Sequence, residues 1–321
     1  MRHPSRRLLL TLVLAGLSCA ASAQQSGKPL TLVVPFAPGG GSDTSARLLS
    51  QALASRLGQT VVIENKPGAA GVIGADQVAR APADGNTILL GNIGTQSINP
   101  ILYKKLPYDA KTAFAPVSLV AELPQVLLVH PGVQAKDVAG LIALLKAQPG
   151  KFSYSTSGPG GSMHLAGEMF KSATQTDIQH VAYRGGGPAI VDLLSGHVQI
   201  TFATVLESLG HIKAGKLRAL AVTGDKRVPA LPDVPTVAET VPGFKSISWV
   251  GVLAPAKTPQ ATIDRLAAAI RDTVAQPDIA QRLNEQGAVA RTTTPRQFAA
   301  LIESDYTTYA QLIAEKGIKA E

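Results

Sequence analysis

"VVPFAPGGGSDTSARLL", residues 33–49, decides the reading of the fold. An apolar run ending in Phe36 meets a Pro-flanked triple glycine, then Ser42 and Asp43, then apolar residues at helical spacing. Ala46, Leu49, Leu53 and Leu57 form that stripe, and Gly58 stops it. Strand, glycine turn and helix in this order are the unit of parallel α/β sheets. Three glycines at a helix mouth let a bulky or negative group reach the backbone, where the first N–H groups are unpaired and the helix dipole is positive. One glycine would serve a tight turn before a helix capped by Ser42 or Asp43, so three favour close approach of a ligand. A phosphate-binding P-loop is excluded because no Lys-Ser/Thr closes the pattern. A dinucleotide fingerprint is weak: Glu64 stands where a ribose-binding acid would, but Thr44 takes the third-glycine position.

The same rhythm continues outward. "TVVIE" (60–64) and "TILLG" (87–91) read as strands on either side of the turn "NKPGAAGVIG" (65–74) and a helix through Arg80. It restarts with "PQVLLVHP" (124–131) and a helix capped by Asp137, with Val138, Leu141, Ile142 and Leu145 on one face. "KFSYSTS", "IQHVAY", "VQITFA", "LRALAVT" and "SWVGVLAP" are further strands, and Pro188 and Gly196 bracket a helix. Thr258-Pro259 and Thr294-Pro295 each read as a cap followed by a first-turn proline. Their helices carry the stripes Ile263/Leu266/Ile270/Val274 and Phe298/Leu301/Ile302/Tyr309/Leu312.

Composition bounds the function. The 321 residues are 45% hydrophobic and 16% charged, enough for two folded cores. "MRHPSRR", "LLLTLVLAGLSCA" and "ASA" before Gln24 read as a secretory signal peptide, residues 1–23, with cleavage expected after Ala23 and export of the mature protein. The single cysteine, Cys19, leaves with it, which excludes disulfides and thiolate chemistry. Loss of Arg2, Arg6 and Arg7 lowers the net charge from +8 to +5, a mild excess that suits small anions and not nucleic acid.

Three other stretches carry candidate binding residues. "SYSTSGPGGSMHLAGEMF" (153–170) gathers Ser155, Ser157, Gly160, Ser162 and His164 at a helix start. An exported hydrolase acting on a small ester or amide would use Ser162 with His164 as base, but no G-x-S-x-G elbow exists. Zinc would need a third ligand beside His164 and Glu168. Helix capping by the hydroxyls and direct ligand contact are equal alternatives. "AYRGGGPA" (182–189) repeats the strand–glycine–helix unit, with Tyr183 beside Gly185, Gly186 and Gly187. Arg184 could clamp a carboxylate, although a lone loop arginine is more often a solvated charge. "GNIGTQSINP" (91–100) follows a strand end, where Thr95 and Gln96 either contact a ligand or cap the turn.

Together "PFAPGGGSDTSARLL", "VVIENKPGAAGVIGAD", "NPILYKKLPYD", "YSTSGPGGSMHLAGEMF", "VAYRGGGPAIVDLLSGHV", "GKLRALAVT" and "DVPTVAE" occur in one order. The chain resembles the periplasmic solute-binding receptors of tripartite tricarboxylate transporters, the Bug family, over essentially its whole length. The resemblance implies a two-lobed α/β binding protein of type II-like form, each lobe a mostly parallel sheet flanked by helices. It implies a monomer that closes on a small organic acid and delivers it to the transporter's membrane subunits, with no cofactor, no metal and no turnover. One ligand carboxylate is expected between the loops 36–43 (Phe36, Pro38, Gly39, Gly40, Gly41, Ser42, Asp43) and 183–187, and a second group at 155–164. Residues 24–125 and 248–321 are expected to form one lobe and 126–247 the other, with hinges near 124–128 and 246–251.

Overall fold

The computed structural model describes residues 28–319. The signal peptide, its cleavage point and Cys19 lie outside the described residues.

The first half alternates as expected: β1 (Leu30–Val34), α1 (Gly41–Leu57), β2 (Val61–Asn65), α2 (Val72–Ala79), β3 (Thr87–Asn92) and the short α3 (Asn99–Leu102). A 16-residue strand, β4 (Phe114–Val129), leads into α4 (Val138–Ala147), β5 (Ser153–Thr156), α5 (Ser162–Thr174), β6 (Gln179–Ala182) and α6 (Gly186–Leu194). Then come β7 (Ile200–Thr204), α7 (Val205–Lys213), β8 (Arg218–Val222) and β9 (Ile247–Pro255). The chain ends in α8 (Gln260–Val274), α9 (Pro277–Glu285), the two-residue β10 (Val289–Ala290) and α10 (Pro295–Lys316).

Two sheets share β4. Its first part pairs antiparallel with β9 in the order β2-β1-β3-β9-β4, where β1 is parallel to β2 and β3. From Gln125 onward β4 pairs instead with β7 and β8, giving β6-β5-β7-β4-β8, where β5 is parallel to β6 and β7. The two orders are the same pattern, and in each the antiparallel strand is the one by which the chain enters from the other lobe. Each sheet is the centre of one lobe, and β4 and β9 are the two crossings.

Helices cover both faces of each sheet because their apolar residues recur at helical spacing. Leu49 and Leu53 of α1 and Ile263, Leu266, Ile270 and Val274 of α8 enter one core with β1, β3 and β9. Each such side chain contributes about 1.5–3 kcal/mol by leaving water. Phe298 of α10 closes the opposite face beside Trp249. The second lobe has two comparable cores around Tyr154, Phe170 and Phe202, and around Ile190, Leu193 and Val205.

Several local expectations change. β4 begins ten residues before Pro124, because Pro116 and Ser118 sit at a register shift where the apolar run breaks and the strand does not. Asp137 caps α4 through Gly140 N–H and Thr294 caps α10 through Gln297 N–H, as the sequence predicts. Thr258 does not cap α8: Pro259 holds that position, and the buried Thr258 hydroxyl has no hydrogen-bond partner. α1 starts one residue before Ser42, with Gly40 as its N-cap.

Candidate functional site

The cleft is built from helix beginnings. α1 of the first lobe and α5 and α6 of the second are capped by Gly40, Gly161 and Gly185, and none of the three has a side-chain cap. α2, with N-cap Gly71, is likewise uncapped by a side chain. Away from the cleft, α4 and α10 are capped by Asp137 and Thr294. Glycine leaves the first N–H groups facing outward with nothing of the helix's own to accept them. Where several such ends converge, an anion is held without a cationic side chain.

The lobes touch along the glycine turns. Ala37 N–H donates to Arg184 C=O at 3.0 Å, and Tyr103 Oη donates to Pro159 C=O at 2.9 Å. A Cβ on Gly187 would stand 2.3 Å from Pro38 O, and one on Gly41 2.7 Å from Thr204 Oγ1. The glycines therefore let backbone meet backbone across the cleft. Between the turns lies a cavity of about 30 Å³ lined by Phe36, Gly40, Gly41, Ser42, Asn92, Leu123, Ser157, Ser162, Met163, Gly186, Thr204, Glu207 and Ser248. Space for about one water molecule is too small for an organic acid as the lobes stand. A hollow of about 530 Å³ beside Trp249 and Asp305 is larger, but none of the glycine-capped helix ends lines it.

The sequence-predicted residues divide. Phe36, Gly40, Gly41, Ser42, Ser157, Ser162 and Gly186 line the cavity. Pro38, Gly39, Tyr183 and Gly187, with Glu207, line a separate open groove of about 600 Å³, and Gly185 packs on Ala37. The others support the site from behind. Asp43 is buried and accepts from Gly39 N–H (3.0 Å), Arg47 Nε (2.9 Å) and Asn65 Nδ2 (3.0 Å). Burial pushes its carboxyl up, but those donors outweigh burial and hold it below the usual value. Thr95 and Asn92 exchange hydrogen bonds in a closed turn, and Gln96 Nε2 reaches Thr95 Oγ1. Ser155 Oγ donates to Ala189 C=O. Tyr183 Oη donates to Asp192 at 2.6 Å; burial and that carboxylate push the phenol to about 12.

His164 is also a support. Its Nδ1 accepts from Gly160 N–H at 3.2 Å, and its ring stacks on His180 at 4.4 Å. Burial, and then the neighbouring His180, lower it to about 4, so the ring is neutral at pH 7. With Nδ1 committed to the Gly160 amide, His164 does not act as the base for Ser162.

Sequence reasoning missed Asn92, Leu123, Met163, Thr204, Ser248 and Glu207. Glu207 Oε2 accepts from Gly41 N–H at 2.9 Å, across the lobes, and Oε1 accepts from Thr204 N–H at 2.7 Å. Burial pushes its carboxyl up, against the pull of the two N–H groups. The only local signal was the capping-box spelling Thr204-x-x-Glu207.

The family profile described as the tripartite tricarboxylate transporter family receptor matches residues 45–318. The chain belongs to that receptor family. BugT of Bordetella pertussis (strain Tohama I) is 35% identical over 308 residues, 95% of this chain and 94% of BugT. Rpa4515 of R. palustris, solved with adipate, superposes with a TM-score of 0.89 at 34% identity, covering 92% of this chain and 99% of that one. MatC from Rhodopseudomonas palustris, solved with bound malate, gives 0.86 at 31% identity over 89% of this chain and 99% of MatC. The receptor is a two-lobed solute-binding protein and not an enzyme, and the hydrolase alternative falls. Among the described residues no helix is long and apolar enough to cross a membrane, and no group of three His, Cys, Asp or Glu is arranged to hold a metal.

Proposed function

We propose that the receptor binds a small organic acid in the cleft and holds a carboxylate on backbone N–H groups at the glycine-capped helix starts. One observation carries this reading: α1 from one lobe and α5 and α6 from the other begin at the same cavity with glycine N-caps that supply no side-chain cap of their own, and of the three only α1 has its first N–H taken by an acid, Glu207. Relatives solved with adipate and with malate support the ligand class. Phe36, Gly40–Ser42, Ser157, Ser162 and Gly186 are the contacts expected of the predicted set, with Asn92, Thr204, Glu207 and Ser248 added. Residues 24–125 and 248–321 would move as one lobe and 126–247 as the other, bending where β4 and β9 cross near Pro124 and Ile247. The leader would be removed after Ala23, and the monomeric, exported receptor would deliver its acid to membrane subunits of a tripartite transporter.

The test is thermal unfolding of residues 24–321, first unfolded and refolded to strip bound solute, against mono-, di- and tricarboxylates, aromatic acids and acidic amino acids. An acid at 100 times its Kd adds about 2.7 kcal/mol and raises Tm by a few degrees. A flat response to every acid would overturn the carboxylate reading.

A further inference from the structure

Among the described residues Glu207 is the only charged side chain lining the interlobe cavity, and no cation lines it. Its carboxylate occupies the mouth of α1, bonded to Gly41 N–H at 2.9 Å, and is held on its own side by Thr204 N–H at 2.7 Å. The second glycine turn is moulded to it: a Cβ on Gly186 would lie 2.1 Å from Oε2. Each oxygen takes one backbone N–H; these donors favour the ionised form against the burial that pushes the carboxyl up, and each oxygen keeps a further lone pair. Glu207 also lies in the first turn of α7, where the dipole favours a negative charge.

The helix starts at the cavity differ in charge. The mouth of α1 already has its anion, supplied by the protein. The α5 start opens from Gly161 with no side-chain cap, beside the neutral hydroxyls of Ser157 and Ser162. A single ligand carboxylate is welcome at the α5 end. A second one, brought toward Glu207, would place two carboxylates in one partly buried site, and like charges there disfavour each other. A hydroxyl or ammonium at that position would instead donate to Glu207.

We propose that Glu207 is a specificity-determining residue: it makes the receptor prefer acids with one carboxylate and a hydrogen-bond-donor group at the far end over dicarboxylates of the same length. The inference rests on the carboxylate reading above and narrows it. Specificity of this kind works as much by repelling the wrong ligand as by binding the right one.

The experiment is calorimetric titration of the refolded receptor and of Glu207→Gln with length-matched series. One compares succinate, 4-hydroxybutyrate and 4-aminobutyrate; the other compares adipate, 6-hydroxyhexanoate and 6-aminohexanoate. The wild type should bind a donor-ended acid at least tenfold more tightly than the matching dicarboxylate. In E207Q that ratio should collapse to about one or reverse, while the glutamine keeps an oxygen for Thr204 N–H. A dicarboxylate bound as tightly as its donor-ended match by the wild type overturns the proposal even if E207Q fails to fold. So does an unchanged ratio in E207Q, and either result leaves the carboxylate site standing. If no acid of either series binds either protein, this inference falls, and the wider panel above decides the carboxylate reading.

Discussion

The turns at Gly39–Gly41 and Gly185–Gly187 share a spelling, each following a parallel strand and opening a helix, but they are held in different ways. The first is braced from within its own lobe. Asp43 gathers Gly39 N–H, Arg47 and Asn65, so the loop carries its own neutralised charge and a fixed shape, with Gly39 at φ +85°. The second has no such acid. It is shaped by what lies against it: Ala37 and Pro38 from the opposite lobe and the Glu207 carboxylate. One turn carries a brace from its own lobe besides the cross-lobe bond from Gly41 to Glu207, and the other is packed on the backbone of the opposite lobe. Identical short motifs thus answer to different physical demands, one to local hydrogen bonding and one to close approach of backbones.

Gly187→Ala should break the contact turn most severely. Its Cβ would meet Pro38 O at 2.3 Å, a backbone atom that can yield only by separating the lobes. Affinity for the bound acid should fall at least a thousandfold, about 4 kcal/mol, while the ligand-free Tm stays within about 2 °C. Titration calorimetry beside a melting curve reads both, and near-normal affinity would show that the turn does not gate closure.

The turn at 158–161 extends the comparison, because a buried histidine braces it. His164 is held near 4 in the folded chain and returns to about 6.5 on unfolding, so the unfolded chain binds the extra proton between those values. Stability should be full above pH 6.5 and decline by up to about 3 kcal/mol as pH falls to 4. His164→Gln should flatten that limb in denaturant titrations at stepped pH. An equally steep limb in the variant would assign the proton elsewhere.

Asp43→Asn tests the brace within the first turn. Losing a buried acceptor of three donors should cost about 2 kcal/mol at pH 7. Because the folded carboxyl lies below its usual value, its contribution is present at neutral pH and lost below about pH 4, where the deficit of D43N should shrink. A constant deficit would mean that packing and not charge holds the loop. The mildest expected change is Gly40→Ala, whose Cβ meets nothing nearer than Gly186 N at 3.3 Å. Less than a tenfold loss of affinity is expected, and a loss matching that of Gly187→Ala would erase the distinction between the two turns.

What the sequence disclosed follows from the range of the forces involved. Strands, helices and glycine caps depend on residues a few positions apart, so the alternation from Leu30 to Ala182 could be read directly. Asp43 was expected among the ligand contacts, but its carboxylate is bonded to Gly39, Arg47 and Asn65, the last 22 residues away, and does not line the cavity. Thr95 and Gln96 stood at the expected strand end, but the side chain of Asn92 claimed the turn and became the lining residue instead. Glu207 meets Gly41 over a separation of 166 residues, and no local pattern beyond its capping box announces that meeting. The early half of β4 escaped because Pro116, Ser118 and Glu122 disguise a strand that takes its order from β9.

The sharing of β4 has a consequence for how the molecule is made. Every strand of the second sheet lies in one unbroken stretch from Gln125 to Val222, but the first sheet lacks its β9 strand until residues 247–255 have been synthesised. At about 5–20 residues per second, the half made first waits roughly 7–26 s after Pro124 for the strand that lies between β3 and β4. The strands of the second sheet are therefore all made before β9 appears, and its core is complete with Phe244. The first lobe, although it begins nearer the N-terminus, is finished last, around a partner strand that reaches it only after the other lobe's sequence has been made.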